Sequence, residues 1–332
     1  MAPTRHRLSI PKEKFSAYFG ALRTIAYHDP SSRGTGAHGI RSISWNPTGT
    51  LIATGAERIL RVWNPERQNV KNSTELKGHA ATIEKVGFSP VKDAELCSVS
   101  SDGVAKFWDV KTKALINEVK GLGDAFTLAW APDGETLIVG NKSDNLFVLS
   151  PTSPSPISSH QQTVQTNQIV FCYSGKKVFL TTGDGRVKIL SYPGFEPIFY
   201  TSYDPSIPFA LNGHTSSCVS IDLQPTARFL ATGGHDSIIA LWDTTDWICQ
   251  RTLIDMTGPV RSISFSFDGT FIVGGSEEGS GLGIAHTETG EAIHTIKTAG
   301  PCPIVAWHPS SYVLAYSDLG SLRIIGVSTE KK

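Results

Sequence analysis

No pair of cysteines in this chain is spaced for a disulfide framework or a zinc site. The five, Cys97, Cys172, Cys218, Cys249 and Cys302, are odd in number and scattered, with no CxxC or CxH phrase. Reduced, mostly buried thiols are the reading that remains. An excess of one charge is also missing. Thirty basic residues balance thirty acidic ones, so no global field steers the chain to nucleic acid or an anionic membrane. No run approaches the roughly 18 continuous apolar residues that span a bilayer. The opening MAPTRHRLSIPKEK lacks the apolar core of a secretory signal. The sequons Asn72-Ser73-Thr74 and Asn141-Lys142-Ser143 are therefore read as chance. Arg5, Arg7, Lys12 and Lys14 make a weakly basic terminus, read as solvated and disordered. A nuclear-import or RNA-contact segment is the alternative.

Catalytic phrases are absent too. No GxSxG, HExxH or EF-hand pattern occurs. Gly279-Ser280-Gly281-Leu282-Gly283 follows a strand as a phosphate loop does. It opens no helix, however, and lacks the acid or GKS/T partner, so it reads as an inter-strand turn. No two of the ten histidines stand at i,i+2 or i,i+4 with a carboxylate. His308 falls in a hairpin turn, His235 in a turn before Asp236, and His160 reads loosely as part of a fourth repeat. These absences argue against an enzyme, a cofactor, a metal and a small-molecule substrate.

What the sequence does have is a repeat. Seven anchors, Trp45, Phe88, Trp130, Phe171, Leu223, Phe265 and Trp307, are separated by 43, 42, 41, 52, 42 and 42 residues. Five of these intervals fall within the roughly 40–45 residues of a four-stranded propeller blade. Proline follows two residues after the anchor at Pro47, Pro90, Pro132, Pro225 and Pro309, and glycine four after it at Gly49, Gly134, Gly175 and Gly269. Such pairs close hairpins, proline by presetting φ and glycine by allowing positive φ. The next runs, such as LIATG from Leu51 and FLATGG from Phe229, are apolar on both faces, as suits strands buried between stacked sheets. No segment has a convincing helical period. The spacing predicts an all-β, seven-bladed propeller over 38–328. Residues 1–37 form a tail that supplies a closing outer strand to the last blade, and 329–332 form a second tail. RTIAYHD from Arg23 and the stretch just before His38 are both candidates for that strand. Closure removes open sheet edges.

The second and fifth repeats carry Gly78-His79, Ser98, Asp102 and Trp108-Asp109, and Gly213-His214, Thr232, Asp236 and Trp242-Asp243. In this the chain resembles the WD-repeat (WD40) family. The resemblance implies a hydrogen-bonded ladder in which Asp102 or Asp236 orients the histidine, His79 or His214 bonds Ser98 or Thr232, and that hydroxyl bonds Trp108 or Trp242. A buried indole and a buried imidazole both need such partners. Blade one keeps His38, Thr54 and Trp63, with Glu57 in the Asp place and Asn64 for the second Asp. Blades three, four, six and seven lack the dipeptide, which leaves their networks in doubt.

Four longer phrases narrow the resemblance: WAPDGETLIVGNKSDN (Trp130–Asn145), KILSYPGFEPI (Lys188–Ile198), VRSISFSFDGTFIVGGSEE (Val260–Glu278) and VAWHPSSYVLAY (Val305–Tyr316). They are similar to the WD-repeat subunits of the THO complex. That resemblance implies a non-catalytic nuclear scaffold that couples transcription to mRNP assembly and mRNA export. Implied partners are other THO subunits, above all the large helical one, with an export helicase and adaptors joined through the complex and RNA contacted indirectly.

Two regions are candidates for partner binding. The 52-residue interval holds about ten residues more than a blade needs, near TSYDPSIPFALNGH (Thr201–His214). It is expected as a loop between blades on the face of the Gly-His turns, stiffened and apolar through Tyr203, Pro205, Pro208 and Phe209. Contact with a partner and folding back onto the next blade are both open readings. Residues six and four before each anchor should line the central face: Arg41, Thr82, Glu84, Asp124, Gln165, Asn167, Ser217 and Arg261. Their mixed charges converge on no single ligand, so a peptide or histone-tail reader is an alternative function. A ubiquitin-ligase substrate receptor is another, weakened because Trp108-Asp109-Val110-Lys111 and Trp242-Asp243-Thr244-Thr245 lack the Trp-Asp-x-Arg phrase. Neutral charge and the absence of a basic-aromatic stripe argue against an autonomous RNA module.

Overall fold

The computed structural model describes residues 9–27, 39–67 and 73–327. Each hairpin closed by an anchor turn places an apolar run beside the strand before it, and the result is seven antiparallel four-stranded sheets. In blade one, Ser42–Trp45, Ile52–Ala56, Ile59–Trp63 and Thr74–Leu76 run outward in chain order. The first strand of each blade touches the first strand of the next, and that of blade seven touches blade one, closing a propeller around a central channel.

Burial falls from the middle of a blade to its edge. The second strands Phe229–Gly234 and Phe271–Ser276 are buried at every position, while the fourth strand Cys249–Leu253 is exposed except at Leu253. Packing between sheets therefore accounts for the doubly apolar runs.

The ring closes through the N-terminal segment. Thr24–Tyr27 pairs antiparallel with Ser321–Ile325 as the outer strand of blade seven, with Tyr27 opposite Leu322. Of the two candidate stretches, the one from Arg23 is thus the closing strand. Tyr27 donates its hydroxyl proton to the Pro65 carbonyl of blade one at 2.7 Å. On the inner side, Trp45 Nε1 donates to Ala306 O at 3.1 Å, and His308 Nε2 sits 3.0 Å from Gly49 O. A Cβ on Gly49 would lie 1.9 Å from that imidazole, so the turn glycine also makes room for the closing contact.

Two expectations are corrected here. The terminus is not wholly solvated and the chain is not free of helix: Lys12–Gly20 forms α1, which places Lys12 and Lys14 in ordered structure. Arg5 and Arg7 lie outside the described residues. Phe15 and Phe19, one helical turn apart, are fully buried between blades six and seven, and Phe15 stacks on Phe271 at 3.8 Å. Nine residues with two apolar anchors are too short to hold a helix alone or to show a period; the groove stabilises it. The second correction concerns His160, which stands in Ser158–Gln161, the outer strand of blade three rather than blade four.

Candidate functional site

The alternation of strands gives the propeller two faces. Turns between second and third strands share one face with the inter-blade turns that carry Gly-His; the other two turns of each blade lie opposite. In blade five, His214 Nδ1 is 3.1 Å from both oxygens of Asp236, and its Nε2 is 2.8 Å from Thr232 Oγ1. Trp242 Nε1 donates to the same hydroxyl at 2.9 Å, and Thr215 N donates to Asp236. A Cβ at Gly213 would fall 2.7 Å from the Trp242 ring, so the glycine before the histidine is a packing requirement.

Blade two keeps half of that arrangement. His79 Nε2 lies 2.7 Å from Ser98 Oγ, which accepts from Trp108 Nε1 at 2.9 Å. The expected role of Asp102 fails: its carboxylate accepts from Val104 N in its own turn, and the buried His79 Nδ1 has no partner among the described residues. Desolvation, with help from the Lys106 ammonium, pushes His79 down to about 4. The imidazole is therefore neutral at pH 7. In blade one, Trp63 Nε1 donates to Thr54 Oγ1 at 3.1 Å, Glu57 sits in the tight turn at φ 46°, and His38 lies outside the described residues.

The blades without the dipeptide tie the same two turns together by other means. In blade three, Asn141 donates to Leu122 O at 2.7 Å and accepts from Ser143 N and Asn145 N. The asparagine of the NK-D phrase is thus a buried structural amide. In blade seven, Asp318 accepts from Ala299 N and Gly300 N and pairs with Arg323 at 2.8 Å. No repeat consensus pointed to Asp318. The glycine-rich run from Gly279 forms the turn between Phe271–Ser276 and Leu282–His286.

The first strands of blades two to six each carry a bulge, between Ile83 and Lys85, Ala125 and Thr127, Thr166 and Gln168, Cys218 and Ser220, and Val260 and Ser262. A bulge frees its extra residue from the ladder and re-aims the side chain, here Glu84, Phe126, Asn167, Val219 and Arg261. All five line the mouth of a channel of about 860 Å³, together with Arg41 and Gln165. Arg41 pairs with Glu84 and Arg261 with Glu277, both at 3.0 Å. Asn167 donates to Cys218 O at 2.7 Å and to Ser217 Oγ at 3.0 Å. Asp124, expected with this group, lies outside the channel lining and pairs with Lys142. Thr82 and Ser217 are outside the lining as well. Deeper in, burial raises Asp222 to about 7, against the opposing pull of N–H donors from Phe265 and Leu223.

The long interval is placed differently from the expectation. Its extra residues lie between Arg186–Ser191 and Ala210–Asn212, the third and fourth strands of blade four. They precede the outer strand that leads into Gly213-His214, so they sit on the face opposite the Gly-His turns. Tyr203 is 79% exposed at the tip, with Pro205 and Pro208 also exposed. Phe209 is half-buried and packs with Phe199 against the blade-five core beside Trp247. The loop therefore does both: its base folds back and its tip faces outward.

Among the described residues, no group of three His, Cys, Asp or Glu side chains is arranged to hold a metal, and no helix is long and apolar enough to cross a membrane. The profile of the family "WD domain, G-beta repeat" matches residues 30–64, 70–109, 206–243 and 247–280. The chain is 31% identical over 300 residues to "THO complex subunit 3" of Arabidopsis thaliana, covering 86% of this chain and 92% of that protein. It is 32% identical over 323 residues to "WD repeat-containing protein AAC3" of Dictyostelium discoideum, covering 91% and 65%. A third relative, "Protein groucho" of Drosophila melanogaster, is 24% identical over 71% of this chain and 31% of its own length.

Proposed function

The chain belongs to the WD-repeat family that includes THO complex subunit 3, and from that premise we propose that it is a non-catalytic docking subunit of a nuclear THO assembly, joining transcription to mRNP assembly and mRNA export. The observation that carries the reading is the extent of the similarity to the plant subunit. It spans 300 residues, whereas the repeat profile leaves blades three and seven, and all of blade four but its outer strand, unmatched. Likeness through those divergent blades is likeness to one kind of propeller rather than to the repeat alone.

The partners in this reading are other THO subunits, above all the large helical one. An export helicase and adaptors join through the complex, and RNA is contacted indirectly. Two surfaces are offered for docking: the channel rim with Arg41, Glu84, Asn167 and Arg261, and the loop tip with Tyr203, Pro205 and Pro208. Stacked rigid blades suit such multivalent contacts, and an exposed aromatic on a braced loop suits an interface anchor. Affinity purification of the tagged chain from nuclear extract, with and without RNase, tests the reading. Stoichiometric THO subunits that survive RNase support it. A different stable partner, or none, overturns it.

A further inference from the structure

The positions three residues before each anchor form a belt around the channel, and in four of the seven blades the side chain there clasps the next blade. Ser42 Oγ accepts from Val86 N at 3.1 Å, and Ser220 Oγ donates to Val260 O at 2.7 Å. Ser262 Oγ accepts from Val305 N at 2.9 Å and donates to Pro303 O at 2.8 Å. Gln168 meets both the N–H and the carbonyl of Ile221. The first strands diverge too far to pair as a sheet, so these polar side chains replace the missing ladder.

The belt lapses at three blades: blade seven carries the apolar Ile304, and the adjacent blades two and three carry the polar Lys85 and Thr127. Both line the channel. Thr127 is 2% exposed and its Oγ1 has no hydrogen-bond partner among the described residues. Lys85 makes no ion pair or hydrogen bond among them, although the other two channel cations, Arg41 and Arg261, are each paired with a carboxylate. Arg261 in turn keeps a buried Nε without a partner. A half-buried ammonium and an orphaned hydroxyl at one height on neighbouring blades are costly to leave unmatched.

We propose that this side of the channel binds an oxyanion, a phosphate-class or carboxylate group, with Lys85 Nζ as its counter-charge and the Thr127 hydroxyl as a second donor. The group enters through the mouth framed by Arg41 and Arg261. A neutral apolar guest would leave the ammonium uncompensated; of the four carboxylates that line the same channel, Glu84 and Glu277 are paired with Arg41 and Arg261, Asp222 accepts from two backbone N–H groups, and Glu57 stands in the tight turn of blade one. The channel volume admits a tetrahedral oxyanion with room to spare. Burial alone holds the Lys85 ammonium below the usual lysine range; an anion beside it would bring it back up.

The full chain is titrated with sodium phosphate and with sodium acetate, against sodium chloride at matched ionic strength, and followed by thermal melting. Saturable stabilisation is expected. A response to phosphate alone assigns a phosphate-class group; an equal response to acetate assigns a carboxylate. Lys85→Met and Thr127→Val should each weaken the response by about tenfold, the loss of one charge-assisted hydrogen bond. Lys85→Met should also melt in chloride at or above the wild type, since an uncompensated charge is removed. No difference between the anions and chloride, or a full response in Lys85→Met, overturns the proposal. Should Lys85→Met fail to fold, NMR of the ¹³C-methylated lysines of the wild type, assigned with Lys85→Arg, decides: the Lys85 signal must titrate at higher pH in phosphate, and an unmoved titration overturns it equally.

Discussion

His214 turns its Nδ1 toward both carboxylate oxygens of Asp236 at 3.1 Å, whereas the matching nitrogen of His79 faces no acceptor among the described residues. A histidine, a hydroxyl, an aspartate and a tryptophan, with the same Asp–Trp interval in both blades, thus give one complete ladder and one open at the top. Asp236→Ala strands a buried imidazole and should lower unfolding free energy by on the order of 1–3 kcal/mol. Asp102→Ala, at an exposed turn residue, should change it by about 0.5 kcal/mol or less. Trp108→Ala and Trp242→Ala each delete a buried indole and should cost about 3–5 kcal/mol. Urea titrations of the four variants check the set; equal losses for the two aspartates would contradict the asymmetry.

The open ladder shows how far the sequence could be read. Seven blades followed from anchor spacing and turn chemistry, because Gly49, Gly134, Gly175 and Gly269 occupy positive-φ turns that few other residues fill. Which ladders close depends on side-chain rotamers a few residues away, and spacing does not encode those. The bulges that aim Glu84 and Arg261 into the channel leave no compositional mark. Helix α1 was hidden because its stability lies in the groove beside Phe271 and Trp307, which the chain completes some 250–300 residues later. Counting residues between anchors cannot say which strand boundary absorbs an insertion, so the sequence does not give the face of the loop near Tyr203.

Phe15 links the start of the chain to its last blades, so its truncation should act locally. Phe15→Ala removes the stack on Phe271 and the edge contact with Tyr312, and should undock α1. Amide exchange is expected to rise across 12–27, including the closing strand, while the second strands of blades two to five keep their protection. Uniformly faster exchange would instead make α1 part of the global folding unit.

Two groups on opposite sides of the ring impose opposite pH slopes. Asp222 is raised to about 7 in the folded state, so the native protein holds its proton while the unfolded chain has lost it; the stability it contributes is complete below about 4 and is lost as pH rises toward 7. His79 is lowered to about 4, so its contribution is present above about 6.5 and is lost as pH falls toward 4. In the wild type the two slopes offset each other. Relative to wild type, Asp222→Asn should gain stability as pH rises from 4 to 7, by on the order of 1–3 kcal/mol, since the part of Asp222 that reaches the channel is screened by solvent. His79→Gln should lose relative stability over pH 4 to 6.5. Parallel curves for either variant would place its titration elsewhere.

The loop tip and its base should separate in a double assay. Tyr203→Ser removes an exposed ring and should leave the melting temperature within about 1–2 °C, since surface changes of this kind are within about 0.5 kcal/mol. Phe209→Ala opens the packing beside Phe199 and Trp247 and should destabilise by about 1–3 kcal/mol. If the tip is a docking element, Tyr203→Ser alone reduces recovery of copurifying subunits from a fully folded protein. Unchanged recovery would restrict docking to other surfaces.

Ala227 occupies the turn position that glycine holds in four other blades, and it takes the same left-handed conformation, at φ 59° against 72° for Gly49. The turn is enforced from both sides: Ala227 N donates to Gln224 O at 2.7 Å, and its carbonyl accepts from Thr244 Oγ1 at 2.6 Å. An L-residue with a Cβ carries a penalty there of roughly 1–2 kcal/mol, while glycine loses about 0.5–1 kcal/mol more backbone entropy on folding. The strain exceeds the entropy, so Ala227→Gly should stabilise the propeller by about 0.5–1 kcal/mol and lift the urea midpoint without changing the slope. Ala227→Val tests the sign from the other direction: a β-branched side chain fits the left-handed region still less well, so the midpoint should fall. A lower midpoint for the glycine variant would mean that the alanine methyl is held by packing strong enough to outweigh its conformational strain.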